Sequence, residues 1–412
     1  MAKDKEKVEN KKNKILIRVR IFLLIALVLA STYFFIDKIE NFVNFAYNGE
    51  APSTQIDESG LKVHFIDVDQ ADAILIEFPT GEKMLIDSGD NKSASQEKLT
   101  TYLNKINFKT EGGEKVLDYF LLTHSDADHI GGATSIFENF KVKTCIRPNI
   151  KSKSETAASE EAVHETQLYD KVIAALSNEV LSSGCISITS AAGLEIKSNA
   201  FVESNLNKDK NTWELSFLTP MNNCLPYKEG STKYNYNNYS PIAILSYMNK
   251  KIMFTGDAEK EVEEDLIEYY TDWNRLNELD VDILKVGHHG SDSSSTPEFL
   301  KYVKPEYAII EVGKDNKHGH PHEDTLKNLQ SAGLSINDIY RTDNNGTILV
   351  GVSTAGELSL ISDHVQYTTI KIEWWYIFVG GNVISAIIIF LPLLSKKNQK
   401  KVKKALKNSK KD

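Results

Sequence analysis

The run Leu122-Thr-His-Ser-Asp-Ala-Asp-His-Ile-Gly-Gly132 places four potential metal ligands, His124, Asp126, Asp128 and His129, within six residues. A solvated acidic loop or a helix cap accounts for one or two such carboxylates. A dense unpaired cluster repels itself, and bound cations are its simplest relief. Gly131 and Gly132 permit close backbone approach beside such ions. Phe254-Thr-Gly-Asp257 ends an apolar run on a carboxylate that, alone, reads equally well as a helix N-cap. Leu284-Lys-Val-Gly-His-His-Gly-Ser291 ends another on two adjacent imidazoles, His288 and His289. One of them can coordinate while the other faces substrate. Lys317-His-Gly-His-Pro-His322 adds three histidines. His320, between Gly319 and Pro321, is the most constrained; an incidental surface role stays open for His318 and His322.

The elements that must position these residues alternate along the chain. Short β-rich runs are expected at 61–68, 72–78, 82–86, 116–122, 142–146, 213–218, 241–247, 250–255, 281–286, 306–311 and 346–352. Helical periodicity predicts helices at 94–106, 132–139, 159–177, 258–270 and 322–332. Interleaved strands and helices make the class α/β. Each ligand motif follows a strand, which exposes its side chains at the carboxyl edge of a sheet, where sites form in α/β folds. Residues 204–238, rich in Asn, Lys and Tyr, read as an irregular insertion.

Taken together, the motifs THSDADHIGG, FTGD and VGHHGS resemble the metallo-β-lactamase superfamily, and more specifically the hydrolase domain of ComEC-type competence proteins. Val63-His-Phe-Ile-Asp-Val-Asp-Gln-Ala-Asp-Ala73 is similar to that subgroup's opening DVGQGDA, with Asp69 and Ala71 standing where the motif has glycines. Met84-Leu-Ile-Asp-Ser-Gly-Asp90 resembles its LIDxG turn, Asn237-Asn-Tyr-Ser240 its NxxS, and Asn316 with Gly319-His-Pro321 its late N-x-x-GHP element. The resemblance covers about residues 61–362 and implies an αββα sandwich holding two divalent ions, Zn²⁺ or Mn²⁺. It implies that His124 and Asp126 hold one ion and Asp128 and His129 the other, with Asp257 bridging and one of His288 and His289 completing the second site. Asp87 would support the site by hydrogen bonding and charge, and Asn237 and Ser240 stand where other relatives keep a third histidine ligand. Asp128 and His320 are the residues expected to carry catalysis, His320 by contacting a phosphate or acting as an acid.

Two such ions, ~3.5–4 Å apart, acidify a water and stabilise the attacking and leaving oxygens of a displacement. The carboxylates Asp126, Asp128 and Asp257 make the donor set hard, suiting Mn²⁺ as well as Zn²⁺. With the subgroup resemblance, this favours a phosphodiester over a lactam or a thioester. Motifs of this kind also look like those of choline-phosphate esterases acting on teichoic acids. DNA, wall polymers and lipid head groups therefore all stand as substrates to test.

The 412 residues carry 48 Lys/Arg and 57 Asp/Glu, a formal charge of −9. Residues 1–49 hold 9 basic and 5 acidic side chains and residues 371–412 hold 10 and 2, which leaves the middle at −21. So acidic a middle disfavours wholesale capture of long nucleic acid, which normally needs a basic stripe. Cys145, Cys185 and Cys224 form no CxxC pair and read as separate, mostly buried thiols.

Segments 15–36 and 374–395 are apolar enough to span ~30 Å of hydrocarbon. Lysines flank both on their terminal sides, so the positive-inside rule puts the tails 1–14 and 396–412 in the cytoplasm. The 61–362 domain then lies outside the cell membrane, joined to the first segment through the linker 37–60. Cleavage of the first segment as a signal peptide is the weaker reading, because Tyr33-Phe34-Phe35 extends the apolar run past Val28-Leu-Ala30. The competing functional reading is a non-catalytic membrane receptor or scaffold with a retained metal-binding domain, which metal content distinguishes.

Overall fold

A computed structural model describes residues 56–156, 162–198, 209–219 and 235–364, with the isolated Val19. The expected membrane segments 15–36 (Val19 apart) and 374–395, Cys224 and most of the 204–238 stretch lie outside the described residues. Among the described residues no helix is long and apolar enough to cross a membrane.

The chain begins with a meander of β1 (Leu61–Phe65), β2 (Ile74–Glu77) and β3 (Lys83–Ile86), then helix α1 (Ser93–Leu103) and a short β4 (Thr110–Glu111). Strand β5 (Glu114–Leu121) leads through helices α2 (Ala127–Ile130) and α3 (Ala133–Asn139) to β6 (Phe140–Arg147). A two-stranded piece, β7 (Lys151–Ser152) with β8 (Val163–His164), precedes helix α4 (Gln167–Ser183) and β9 (Ile186–Thr189). The second half opens with β10 (Glu195–Lys197), β11 (Trp213–Phe217), β12 (Ala243–Tyr247) and β13 (Lys250–Phe254). Helix α5 (Lys260–Asp272), β14 (Ile283–Lys285), helix α6 (Pro297–Val303) and β15 (Tyr307–Ile310) follow. The domain closes with helix α7 (Glu323–Ser331), β16 (Ile339–Arg341), helix α8 (Thr342–Asn345), β17 (Ile348–Val352) and β18 (Leu358–Ser362).

One sheet runs β18-β17-β1-β2-β3-β5-β6-β9, with β4 paired to β5, and the other runs in order from β10 to β16. Strand alternation divides each sheet between two cores. Val63, Phe65, Ile74 and Ile86 of the first sheet meet Trp213, Leu215, Phe254 and Ile283 of the second. The opposite faces, through Leu85, Phe120 and Val142 or through Met253, Leu284 and Ile310, pack against helices. Three apolar cores therefore separate four layers: helices, sheet, sheet, helices.

Every strand expected from the sequence is present. The helix expected at 159–177 is displaced: Val163–His164 form β8, and the helix starts at Gln167. The cause is local capping. The Thr166 side chain accepts from the Tyr169 N–H at 3.3 Å, and Gly184, in the left-handed region, ends the helix. Cys145 and Cys185 are buried free thiols.

Candidate metal centre

Strands β3, β5, β13, β14 and β15 run parallel where they pair, so their carboxyl ends, and the loops after them, fall on one edge of the two sheets. The loop after β5 carries His124 and Asp126 and runs into α2, which carries Asp128 and His129; the loop after β13 carries Asp257, and that after β14 carries His288 and His289. Gly256, at φ 51°, has no room for a side chain: a Cβ there would sit 2.8 Å from the Cβ of Ser240. The chain can therefore turn and deliver Asp257 only through glycine.

The geometry brings most of the expected residues together. His124, His129 and Asp257 present ligand atoms within 4.8 Å of one another, and so do Asp128, His129 and His289. His129 Nε2 lies 3.3 Å from Asp257 Oδ2, and His289 Nε2 lies 3.5 Å from Asp128 Oδ2 and 3.7 Å from Asp257 Oδ2. His124 Nε2 is 3.9 Å from Asp126 Oδ2. Asp126 and His288 belong to none of the tight clusters found among the described residues. His288 points its Nδ1 to Ser293 Oγ at 2.9 Å, with Nε2 3.7 Å from Asp257 Oδ2.

The far sides of the imidazoles are held. His129 Nδ1 is 2.7 Å from Asp87 Oδ2, a carboxylate that also accepts from the Thr123 N–H and hydroxyl. His289 Nδ1 donates to the Glu311 carbonyl at 2.9 Å. His124 Nδ1 has Thr123 Oγ1 at 3.1 Å and Ser240 Oγ at 3.2 Å, and Ser240 Oγ also accepts from the Asp257 N–H. Asn237 donates to Glu259 at 3.0 Å, and Glu259 Oε1 lies 3.3 Å from His288 Nδ1. The other ring nitrogens are a different matter. His124 Nε2, His129 Nε2, His289 Nε2 and Asp257 Oδ1 are buried with no hydrogen-bond partner. Orphaned buried polar atoms are rare and costly, and four converging on one volume are what a cation-binding donor set requires. The donors present fit divalent ions.

Electrostatics run the same way. Burial works against the imidazolium of His129, but Asp257 and Asp87 outweigh it and hold the ring well above its ordinary pKa. Burial, with His129 beside it, pushes His124 down to about 3. Burial and the neighbouring Asp128 raise Asp126 to about 6. Asp257 stays well below the usual carboxylate range because His129, His289 and His288 outweigh its burial. The site is thus a concentration of negative charge held by protonated imidazoles, the state that cations replace.

His320 is half-buried beside the histidine pair, its ring centroid 5.4 Å from that of His288 and 6.2 Å from that of His289. His322 is tied back to Asp292 and to the His318 carbonyl, while His318 is exposed. Asp69, in the place of a motif glycine, adopts φ 65°. Its N–H donates to Asp67 Oδ1 and its carboxylate pairs with Lys98, so the turn is kept by a residue that tolerates the left-handed region.

The Metallo-beta-lactamase superfamily profile matches residues 66–223, from the loop after β1 to beyond the His124–His129 cluster. The chain is 30% identical to ComE operon protein 3 of Bacillus subtilis (strain 168) over 302 residues, 70% of this chain and 32% of that protein. The domain belongs to the metallo-β-lactamase superfamily. Competence protein ComA of Neisseria gonorrhoeae is 33% identical over 105 residues, 26% of this chain and 14% of that protein. Recombination protein 2 of Haemophilus influenzae is 23% identical over 332 residues, 79% and 32% of the two chains. The chain spans about a third of the length of these relatives or less.

Within this metallo-β-lactamase domain the structure adds residues that the motif reading passed over as site members. Asp72, Lys285, Glu259, Glu311 and Thr123 all surround the ligand cluster. The available signal was Lys285, a lysine inside the otherwise apolar run Ile283-Leu-Lys-Val286. A charge in a strand buried on both faces needs a counter-charge close by.

Proposed function

We propose that the domain is a binuclear metal-dependent phosphodiesterase held outside the cell membrane by the segments at 15–36 and 374–395. The observation that carries this reading is the set of buried, unpartnered atoms His124 Nε2, His129 Nε2, His289 Nε2 and Asp257 Oδ1. Asp128, His129 and His289 would hold one divalent ion, Zn²⁺ or Mn²⁺, His124 and Asp126 the other, with Asp257 between them. Ions bound there supply an acidified water and charge relief for the attacking and leaving oxygens.

The chain's own residues do the rest. Asp87 and the Glu311 carbonyl orient His129 and His289, so both rings present Nε2 inward. Asp126, with 42% of its side chain exposed, faces the opening that substrate must use. Burial and the imidazoles around it bring His320 down to about 4, so at neutral pH it is uncharged. It can then offer a phosphate oxygen a hydrogen bond from its ring N–H. A donor set this rich in carboxylates is hard and suits ions that also bind phosphate oxygens, which supports a phosphodiester. Relatives named for competence and recombination bring nucleic acid forward as one such substrate, beside wall polymers and lipid head groups.

The test is a panel assay on the purified full chain with Mn²⁺ or Zn²⁺. Bis-(p-nitrophenyl) phosphate, single-stranded DNA and a teichoic-acid polymer are offered beside carboxylic esters. Cleavage of at least one phosphodiester, dependent on the ion, is expected. Robust esterase activity with no phosphodiester turnover would overturn the reading, and absence of bound metal would favour a scaffold.

A further inference from the structure

Lys285 closes β14 and is fully buried. Its ammonium contacts Asp72 Oδ2 and donates to the Gly256 carbonyl at 3.1 Å. Burial alone would discharge such an amine; Asp72, then Asp257 and Glu311, outweigh it and keep it protonated. Asp72 is buried too, and its second oxygen lies 3.1 Å from His289 Nδ1. The backbone N–H of Asp72 donates to the Asp128 carbonyl at 3.2 Å. One ion pair therefore touches the loops that carry Asp128, Asp257 and His289.

By distance alone, Asp72 qualifies as a ligand. It forms one tight cluster with Asp257 and His289 and another with Asp87 and His129. Either would draw a cation to the inner side of the imidazoles, towards the space between the sheets that Asp72, Asp87, Thr123 and Lys285 line. Lys285 already supplies a cation there. We propose that Lys285 is a positioning residue for the metal centre: its ammonium claims Asp72 and withholds that carboxylate from the ions, so that Asp72 acts on His289 by its charge alone while the Glu311 carbonyl takes the ring's proton. The proposal rests on the reading of the domain as a metal centre, and it assigns the lysine a role in where ions sit, apart from packing.

Co²⁺ titration of the full chain, followed by its visible absorption and by equilibrium dialysis, separates the possibilities. In Lys285→Met a positive charge is lost and Asp72 is freed. Co²⁺ affinity is expected to rise at least about tenfold, with a changed spectrum or an additional ion per chain, as Asp72 joins the ligands. In the Asp72→Asn/Lys285→Met double variant no carboxylate is released and His289 loses its anionic neighbour. Affinity is expected to fall about tenfold. A purely structural lysine would lower the apo melting temperature in both variants while leaving Co²⁺ affinity and spectrum within about twofold of wild type; that result overturns the proposal. Should Lys285→Met not fold, the double variant decides alone, and unfolding of both reduces Lys285 to a structural role. Failure of the wild-type chain to take up Co²⁺ is a separate outcome, one that removes the metal-centre reading itself.

Discussion

His288 and His289 are neighbours in sequence, yet a left-handed backbone at both, φ 46° and 52°, splays their rings to an interplanar angle of 59°. Two consecutive non-glycine residues in that region cost roughly 1–2 kcal/mol each, and the surrounding glycines and the Glu311 carbonyl hold them there. The consequence is a division of labour: His289 is buried with Nε2 inward, and His288 sits at the opening beside His320. Replacing His289 with Ala is expected to remove about one of two bound ions, measured by elemental analysis, and to lower turnover by orders of magnitude. His288→Ala should keep the wild-type metal content and slow phosphodiester turnover only. Equal metal loss in both would refute the assignment. Asp128→Asn tests the other side of the same ion. Asn is isosteric but neutral, so activity should vanish while the apo melting temperature stays within a few degrees.

The elements carry a second kind of constraint, visible where helix α1 docks on the first sheet. His64 of β1 is buried, with Nδ1 2.8 Å from the Tyr102 hydroxyl and Nε2 3.1 Å from Glu77 Oε1. Burial depresses its pKa despite the pull of Glu77. The folded state therefore keeps this imidazole neutral, while the unfolded chain protonates it near 6.5. Its contribution is present above that value and is lost as pH falls towards the depressed folded value. Relative to His64→Gln, which can make both hydrogen bonds without titrating, the wild type should lose up to about 1.4 kcal/mol per pH unit below pH 6. Urea unfolding at several pH values measures it, and parallel curves for the two proteins would exclude the effect. Such elements were largely legible beforehand, because apolar alternation marks a strand such as Trp213–Phe217 wherever it stands. What escaped lacked a clear local apolar signal: β16 and β18 are edge strands at the ends of the two sheets, and the ends of α4 are set by the caps Thr166 and Gly184, not by the hydrophobic period. The ligand cluster was readable from His124 to His129, but Asp72 meets Lys285 only once 213 positions of chain have folded between them.

At the scale of the whole molecule, the balance of −21 over the middle of the chain is concentrated in part on one edge of two sheets. Asp72, Asp87 and Asp257 are buried, and Asp126 and Asp128 are at least half-buried. Without ions, charge neutrality there falls to Lys285 and to imidazoles that must take up protons, and the folded state keeps orphaned ring nitrogens inside. Each ion that binds the folded chain and not the unfolded one stabilises it by mass action, about 2.7 kcal/mol per site at a free concentration 100 times Kd. For a domain of this size that corresponds to roughly 5 °C in melting temperature per ion, or about 10 °C for two. Chelation should therefore lower the melting temperature of the full chain by roughly that amount, and re-addition of Zn²⁺ or Mn²⁺ should restore it. Mg²⁺, which keeps its waters and prefers all-oxygen octahedra, should restore less against three imidazoles. The same scan on a His124→Ala/His289→Ala variant should show no response to chelator, since the ions would have nowhere to bind. A chelator-sensitive melting temperature in that variant would mean that the stabilising ions sit elsewhere, and that the edge of the two sheets is not where this molecule holds its metals.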